Sequence, residues 1–138
     1  MPHSFNKHLY HITFATKNRE RNLHHNLRKR LCPYIHITIN NSFGQSYIVN
    51  GVDDHLHILC EIKAKHSVAE AIRKIKSETS KWISREFGEA FQWQEGYYSF
   101  SVSQSQIQKV YQYIERQEEH HRAVTFDEEY QSFLQRHS

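Results

Sequence analysis

Cysteine, proline and glycine are all scarce in this chain of 138 residues, which holds two, two and four of them. Cys32 and Cys60 form no Cys-x-x-Cys pair, so neither a disulfide framework nor a zinc ribbon is indicated, and both should be buried free thiols. No apolar run approaches the roughly 20 residues needed to cross a bilayer. Charged residues also interrupt the N-terminus before any signal-peptide core can form, so the chain is expected to be cytoplasmic with no membrane partner. Repeats, low-complexity tracts and linkers are missing too, which argues for one domain over 1–138.

Acids are sparse where bases are dense. The net charge is only +3, yet residues 1–30 hold seven Lys or Arg against Glu20 alone, and residues 63–85 hold another seven against Glu70 and Glu78. Clustered positive charge suits a polyphosphate, because each neutralised phosphate releases a condensed counterion. A nucleic acid is the natural partner, with Lys17, Arg19 and Arg21 in one cluster and Arg73, Lys74 and Lys76 in the other as candidate contacts. The alternative is a solvated basic surface.

The pattern of apolar residues alternates strands with helices. Residues 8–16 read as a strand with Tyr10, Ile12 and Phe14 on one face, and Leu27, Leu31, Tyr34, Ile35 and Thr38 recur at helical spacing up to Asn40-Asn41. Pro33 falls inside that helix, which must either kink there or begin there. Gln45–Asn50 and the His-Leu-His strand form a hairpin through a tight turn at Gly51 to Asp54. Ser67-Val68-Ala69-Glu70 is a capping box opening a long helix that Gly88 ends, with Val68, Ile72, Ile75, Thr79, Trp82 and Phe87 as its buried stripe. Tyr97–Val102 makes another strand whose serines can cap the next helix, and 126–134 a short amphipathic helix. This order gives an α+β domain, an antiparallel sheet with packed helices.

Two segments carry chemistry. In Asp54-His55-Leu56-His57, residues 55 and 57 share one face of a strand, so two imidazoles can hold one divalent cation. Two partly exposed histidines at a strand entrance are the plain alternative. From Ser99 to His121 there is no glycine or proline, and a helix there stacks Tyr113, Gln117 and His121 along one face. Tyr113 offers a nucleophilic phenol and Gln117 an amide oxygen; otherwise Val110, Tyr113, Ile114 and Gln117 are an inward-facing stripe.

Together these segments resemble the HUH superfamily, in which a His-hydrophobic-His strand faces a helix bearing a nucleophilic tyrosine. More narrowly, the chain resembles the single-tyrosine HUH transposases of small single-strand insertion sequences and the tyrosine transposases associated with repetitive extragenic palindromes. The resemblance spans Tyr10-His11-Ile12-Thr13-Phe14-Ala15-Thr16-Lys17-Asn18-Arg19, Gly51 to Leu59, Trp93 to Ser103 and Tyr113 to His121. It implies a ferredoxin-like plait, commonly a homodimer joined sheet edge to sheet edge.

By the same resemblance the chain would be a metal-dependent endonuclease and strand transferase acting on hairpin-bearing single-stranded DNA. Tyr113 would be the nucleophile, forming a 5′-phosphotyrosine, and His55, His57 and Gln117 would hold Mg or Mn. Tyr111 is an alternative nucleophile, but the family pattern Tyr-Ile-x-x-Gln falls on Tyr113. Asp54 either orients an imidazole or forms the turn. His120 and His121 add a ligand, move a proton or cap the helix. Two other classes remain open: a non-catalytic single-strand-binding module, with Tyr97, Tyr98 and Phe100 stacking on bases rather than filling the core, and a metal-dependent nuclease using water. Covalent attachment separates all three.

Overall fold

In the computed structural model, which describes residues 7–120 and 126–137, four strands and two long helices follow in the order β1 (Leu9–Ala15), α1 (His25–Ser42), β2 (Gly44–Gly51), β3 (His55–Ile62), α2 (Val68–Phe87) and β4 (Tyr98–Ser101). The sheet order is β2-β3-β1-β4, with every neighbouring pair antiparallel. This is the ferredoxin-like plait. Three further helices, α3 (Ile107–Glu115), α4 (Gln117–His120) and α5 (Phe126–His137), complete the described chain.

Strand alternation divides the domain into two layers. Ile12 and Phe14 of β1 and Leu56, Ile58, Cys60 and Ile62 of β3 point to one side, where α1 and α2 close the main core over them. Leu9, His11 and Thr13, with His55, His57 and Leu59, point to the other. There Leu9 and Leu59 pack against Val102 and Ile114 in a smaller cluster flanked by Val110 and Tyr113. The site face is therefore the face opposite α1 and α2.

Helix α1 passes through Pro33 and starts upstream of it, at His25. A proline inside a helix costs about 3 kcal/mol. Leu27, Leu31, Ile35 and Ile39 are all buried along one stripe, and at roughly 1.5–3 kcal/mol each they outweigh that cost. Helix α2 begins and ends as its sequence predicts: Ser67 accepts a hydrogen bond from the Glu70 amide at 3.0 Å, and Gly88 takes a left-handed φ of 70°. Its buried residues are Ala71, Ile72, Ile75, Thr79, Trp82 and Ile83, so Val68 and Phe87 sit at the margin of the stripe. Gly51 is required at the hairpin because a Cβ there would lie 2.3 Å from the His55 carbonyl oxygen.

Two expectations change. The tyrosine helix is broken at Arg116, which adopts φ −98° and ψ 23° and separates α3 from α4. The serines after β4 do not cap it: Ser103 makes no capping hydrogen bond and its hydroxyl instead pairs with that of Ser105 at 3.2 Å. Cys32 and Cys60 are free thiols, and burial pushes Cys60 up to about 12. Among the described residues no helix is long and apolar enough to cross a membrane.

Candidate active site

The period-two pattern of β3 places both histidine rings on the face that α3 and α5 cover, and both are fully buried. Each ring is tied at Nδ1. Asp54 Oδ1 accepts from His55 Nδ1 at 2.7 Å, and His57 Nδ1 lies 2.8 Å from Nε2 of His11, itself buried on β1. These contacts leave the two Nε2 atoms to converge on one point. That point is Glu129 Oε1 of α5, 2.9 Å from His57 Nε2 and 3.3 Å from His55 Nε2. Asp54 thus holds the His55 ring by a hydrogen bond from its place in the turn.

Glu129 is 1% exposed and was not singled out from the sequence. Burial opposes its charge, but hydrogen bonds from His55 and His57 outweigh burial and hold its carboxyl below the usual range. Burial likewise opposes a charge on His55. Its bonds to Asp54 and Glu129 prevail and raise its pKa. The other Glu129 oxygen accepts from Gln117 Nε2 at 3.1 Å.

Gln117 is also fully buried, and its Oε1 has no hydrogen-bond partner among the described residues. An orphaned amide oxygen inside a protein costs about 1–3 kcal/mol. It belongs to the amide whose nitrogen donates to Glu129, and it is an atom that a cation held by the neighbouring group would satisfy. One ligand atom each from His55, His57 and Glu129 falls within a 4.8 Å span. His55, His57 and Glu129 therefore fit a divalent metal, while Gln117, the third ligand expected, meets the group through its amide nitrogen.

Tyr113 reaches the same cluster from α3. Its ring stands edge-on to His57, with centroids 5.8 Å apart, and against Phe133 of α5 at 5.4 Å. Tyr111 is exposed, so the helix turns Tyr113 and not Tyr111 toward the histidines. Tyr98 stacks on Tyr130 at 3.9 Å and Phe100 meets Phe133 edge-on. Those two aromatics pack under α5, whereas Tyr97 remains exposed. His121 lies outside the described residues, and of His120 only the backbone, at the end of α4, is described.

The six basic residues expected to contact DNA are not gathered at this site. Arg73, Lys74 and Lys76 lie on α2, across the sheet from the histidines. Lys76 donates to the carbonyls of Gln94 and Gly96 and lies over the Phe14 ring, so much of its role is structural. Lys74 lies 3.9 Å from Glu78. Lys17 donates to Gln92 Oε1 at 2.9 Å. Arg19, half-buried, and Arg21, exposed, follow the end of β1 where Ala15 pairs with His55.

A family model described as "Transposase IS200 like" matches residues 4–117. The match ends at Gln117, so Glu129 and Phe133 lie outside it. No curated protein matches the chain. A solved structure of a candidate transposase from Deinococcus radiodurans R1 superposes with a TM-score of 0.68 at 19% identity, over 85% of this chain and 95% of its own. A REP-associated tyrosine transposase bound to a REP hairpin superposes with a TM-score of 0.64 at 15% identity, over 90% of this chain and 74% of its own. At such identities the two structures establish a shared fold. The family match carries the rest: the chain belongs to the IS200-like transposases, enzymes that act on DNA.

Proposed function

We propose that this transposase nicks and rejoins single-stranded DNA next to a hairpin, through a 5′-phosphotyrosine on Tyr113. The observation that carries the reading is the convergence of the Tyr113 ring with the buried His55, His57, Gln117 and Glu129 cluster on one face of the sheet. Tyr113 Oη attacks the scissile phosphorus. The bond to the 3′ oxygen of the preceding nucleotide breaks, the phenolic proton is given up, and the departing oxygen ends as a 3′ hydroxyl. Attack by another 3′ hydroxyl on the phosphotyrosine reverses the exchange and joins strands without ATP. An ordinary phenol has a pKa of about 10 and needs help to ionise at neutral pH.

His55, His57, Gln117 and Glu129 would hold Mg or Mn, which supplies charge neutralisation at the phosphodiester oxygens. His11 and Asp54 keep the two imidazoles oriented for that task. A hairpin substrate is favoured by analogy with the relative described as bound to one, and Arg21 and Arg73 are exposed cations able to grip its phosphates. A homodimer belongs to the same reading, because β2 and β4 are the edge strands of the sheet, which a second copy could pair.

Cleavage of a hairpin oligonucleotide with a single-stranded flank tests this. Cutting should require added Mg²⁺ or Mn²⁺ and stop with chelator. His57→Ala should lose cutting while retaining most DNA binding. Undiminished cutting by that variant in metal-free buffer would overturn the assignment.

A further inference from the structure

A cleft of about 1150 Å³ opens between β4 and α3 and runs to the Tyr113 ring. Among its lining residues are Lys109, Tyr113 and Arg116, spaced by four and three positions along α3 and its C-terminal cap. That spacing puts them in one row on the helix surface. At about 1.5 Å of rise per residue, the backbone positions of Lys109 and Arg116 lie about 6 Å before and about 4.5 Å after that of Tyr113 along the axis. Lys109 and Arg116 are exposed, and neither forms an ion pair among the described residues. Gln106 and Ser103 add neutral hydrogen-bonding groups to the wall, and Glu119 is its one acid among the described residues.

We infer that this cleft is the binding site for the single-stranded segment carrying the scissile phosphate, with Lys109 and Arg116 holding the phosphates on either side of it. The inference rests on the proposed tyrosine chemistry and extends it to the substrate's path. A strand cut at Tyr113 must continue past it in both directions, so it presents a phosphate before and after the scissile one. A cation one helical turn to each side matches that need. The volume slightly exceeds the ~300–1,000 Å³ of ordinary ligand pockets, which suits a few nucleotides of one strand rather than a duplex. The basic residues of α2 lie across the sheet and cannot serve the same phosphates. Arg73, exposed on α2, remains available for the hairpin stem.

The test compares a hairpin carrying a single-stranded flank with the same hairpin lacking it, binding each to wild type and to the Lys109→Ala/Arg116→Ala double variant across a salt series. Both positions are exposed, and circular dichroism and thermal melting check that the variant folds. For the flanked substrate, the slope of log affinity against log salt should fall by about 1.4, from about 0.7 per single-strand phosphate contact. The flankless hairpin should bind the two proteins equally. Unchanged binding of the flanked substrate, or equal weakening of both substrates, would overturn the inference. Failure of the underlying chemistry reads differently: wild type would bind the flank through these residues yet form no covalent adduct.

Discussion

Replacing Glu129 with glutamine isolates the role of the carboxylate that α5 inserts between the histidines. The substitution is nearly isosteric. The new amide oxygen can still accept from His57 Nε2, and Gln117 can turn its amide so that its oxygen meets the new NH₂ group. Packing should persist while the negative charge disappears. At a Mn²⁺ concentration about 100 times Kd, a bound metal stabilises the folded state by about 2.7 kcal/mol. Loss of even a supporting group around a metal weakens affinity roughly 10- to 100-fold. At the lower bound, the metal's contribution falls to about 1.4 kcal/mol. For a chain of 138 residues, each kcal/mol moves Tm by about 3–4 °C. The Mn²⁺-induced rise in Tm should therefore shrink by about 4–5 °C in Glu129→Gln. Differential scanning fluorimetry with and without metal gives this difference free of any change in the metal-free baseline. Equal rises in both proteins would show that Glu129 is no ligand.

His11→Phe keeps a ring against Phe133 but removes the partner of His57 Nδ1, so Mn²⁺ affinity by titration calorimetry should fall roughly 10- to 100-fold, and His11→Gln should recover part of it. Unchanged affinity in His11→Phe would contradict the orienting role. Burial raises the Cys32 thiol, against a smaller lowering by Arg28, to about 11, and raises Cys60 to about 12. Neither should react readily with a thiol reagent at mildly alkaline pH until denaturant is added, and fast labelling of Cys60 in the native protein would refute the packing of β3.

Around the candidate metal site, local periodicity decides which residues are legible in the sequence. His55 and His57 were legible because a strand repeats every two residues and places both on one face. Ser67, Glu70 and Gly88 bounded α2 through local capping chemistry. Glu129 was obscured by its setting, since Asp127-Glu128-Glu129 reads as the solvated side of a helix. A signal was present all the same: Glu129 lies at the i, i+3, i+4, i+7 positions shared with Phe126, Tyr130 and Phe133, which puts a carboxylate on the apolar stripe. The break at Arg116 had no glycine or proline to announce it. His11 looked like a strand residue in a motif, and only the pairing of β1 with β3 brings it to His57.

The proposed chemistry requires that Tyr113 become joined to DNA. A hairpin substrate labelled on the 3′ side of the cut, incubated with protein and Mn²⁺ and run on a denaturing gel, measures this directly. Wild type and Tyr111→Phe should carry label. Tyr113→Phe, which keeps the ring packed against His57 and Phe133 but lacks the attacking oxygen, should bind DNA and metal and carry none. Label on Tyr113→Phe, or cutting by wild type with no label on the protein, would contradict the central claim.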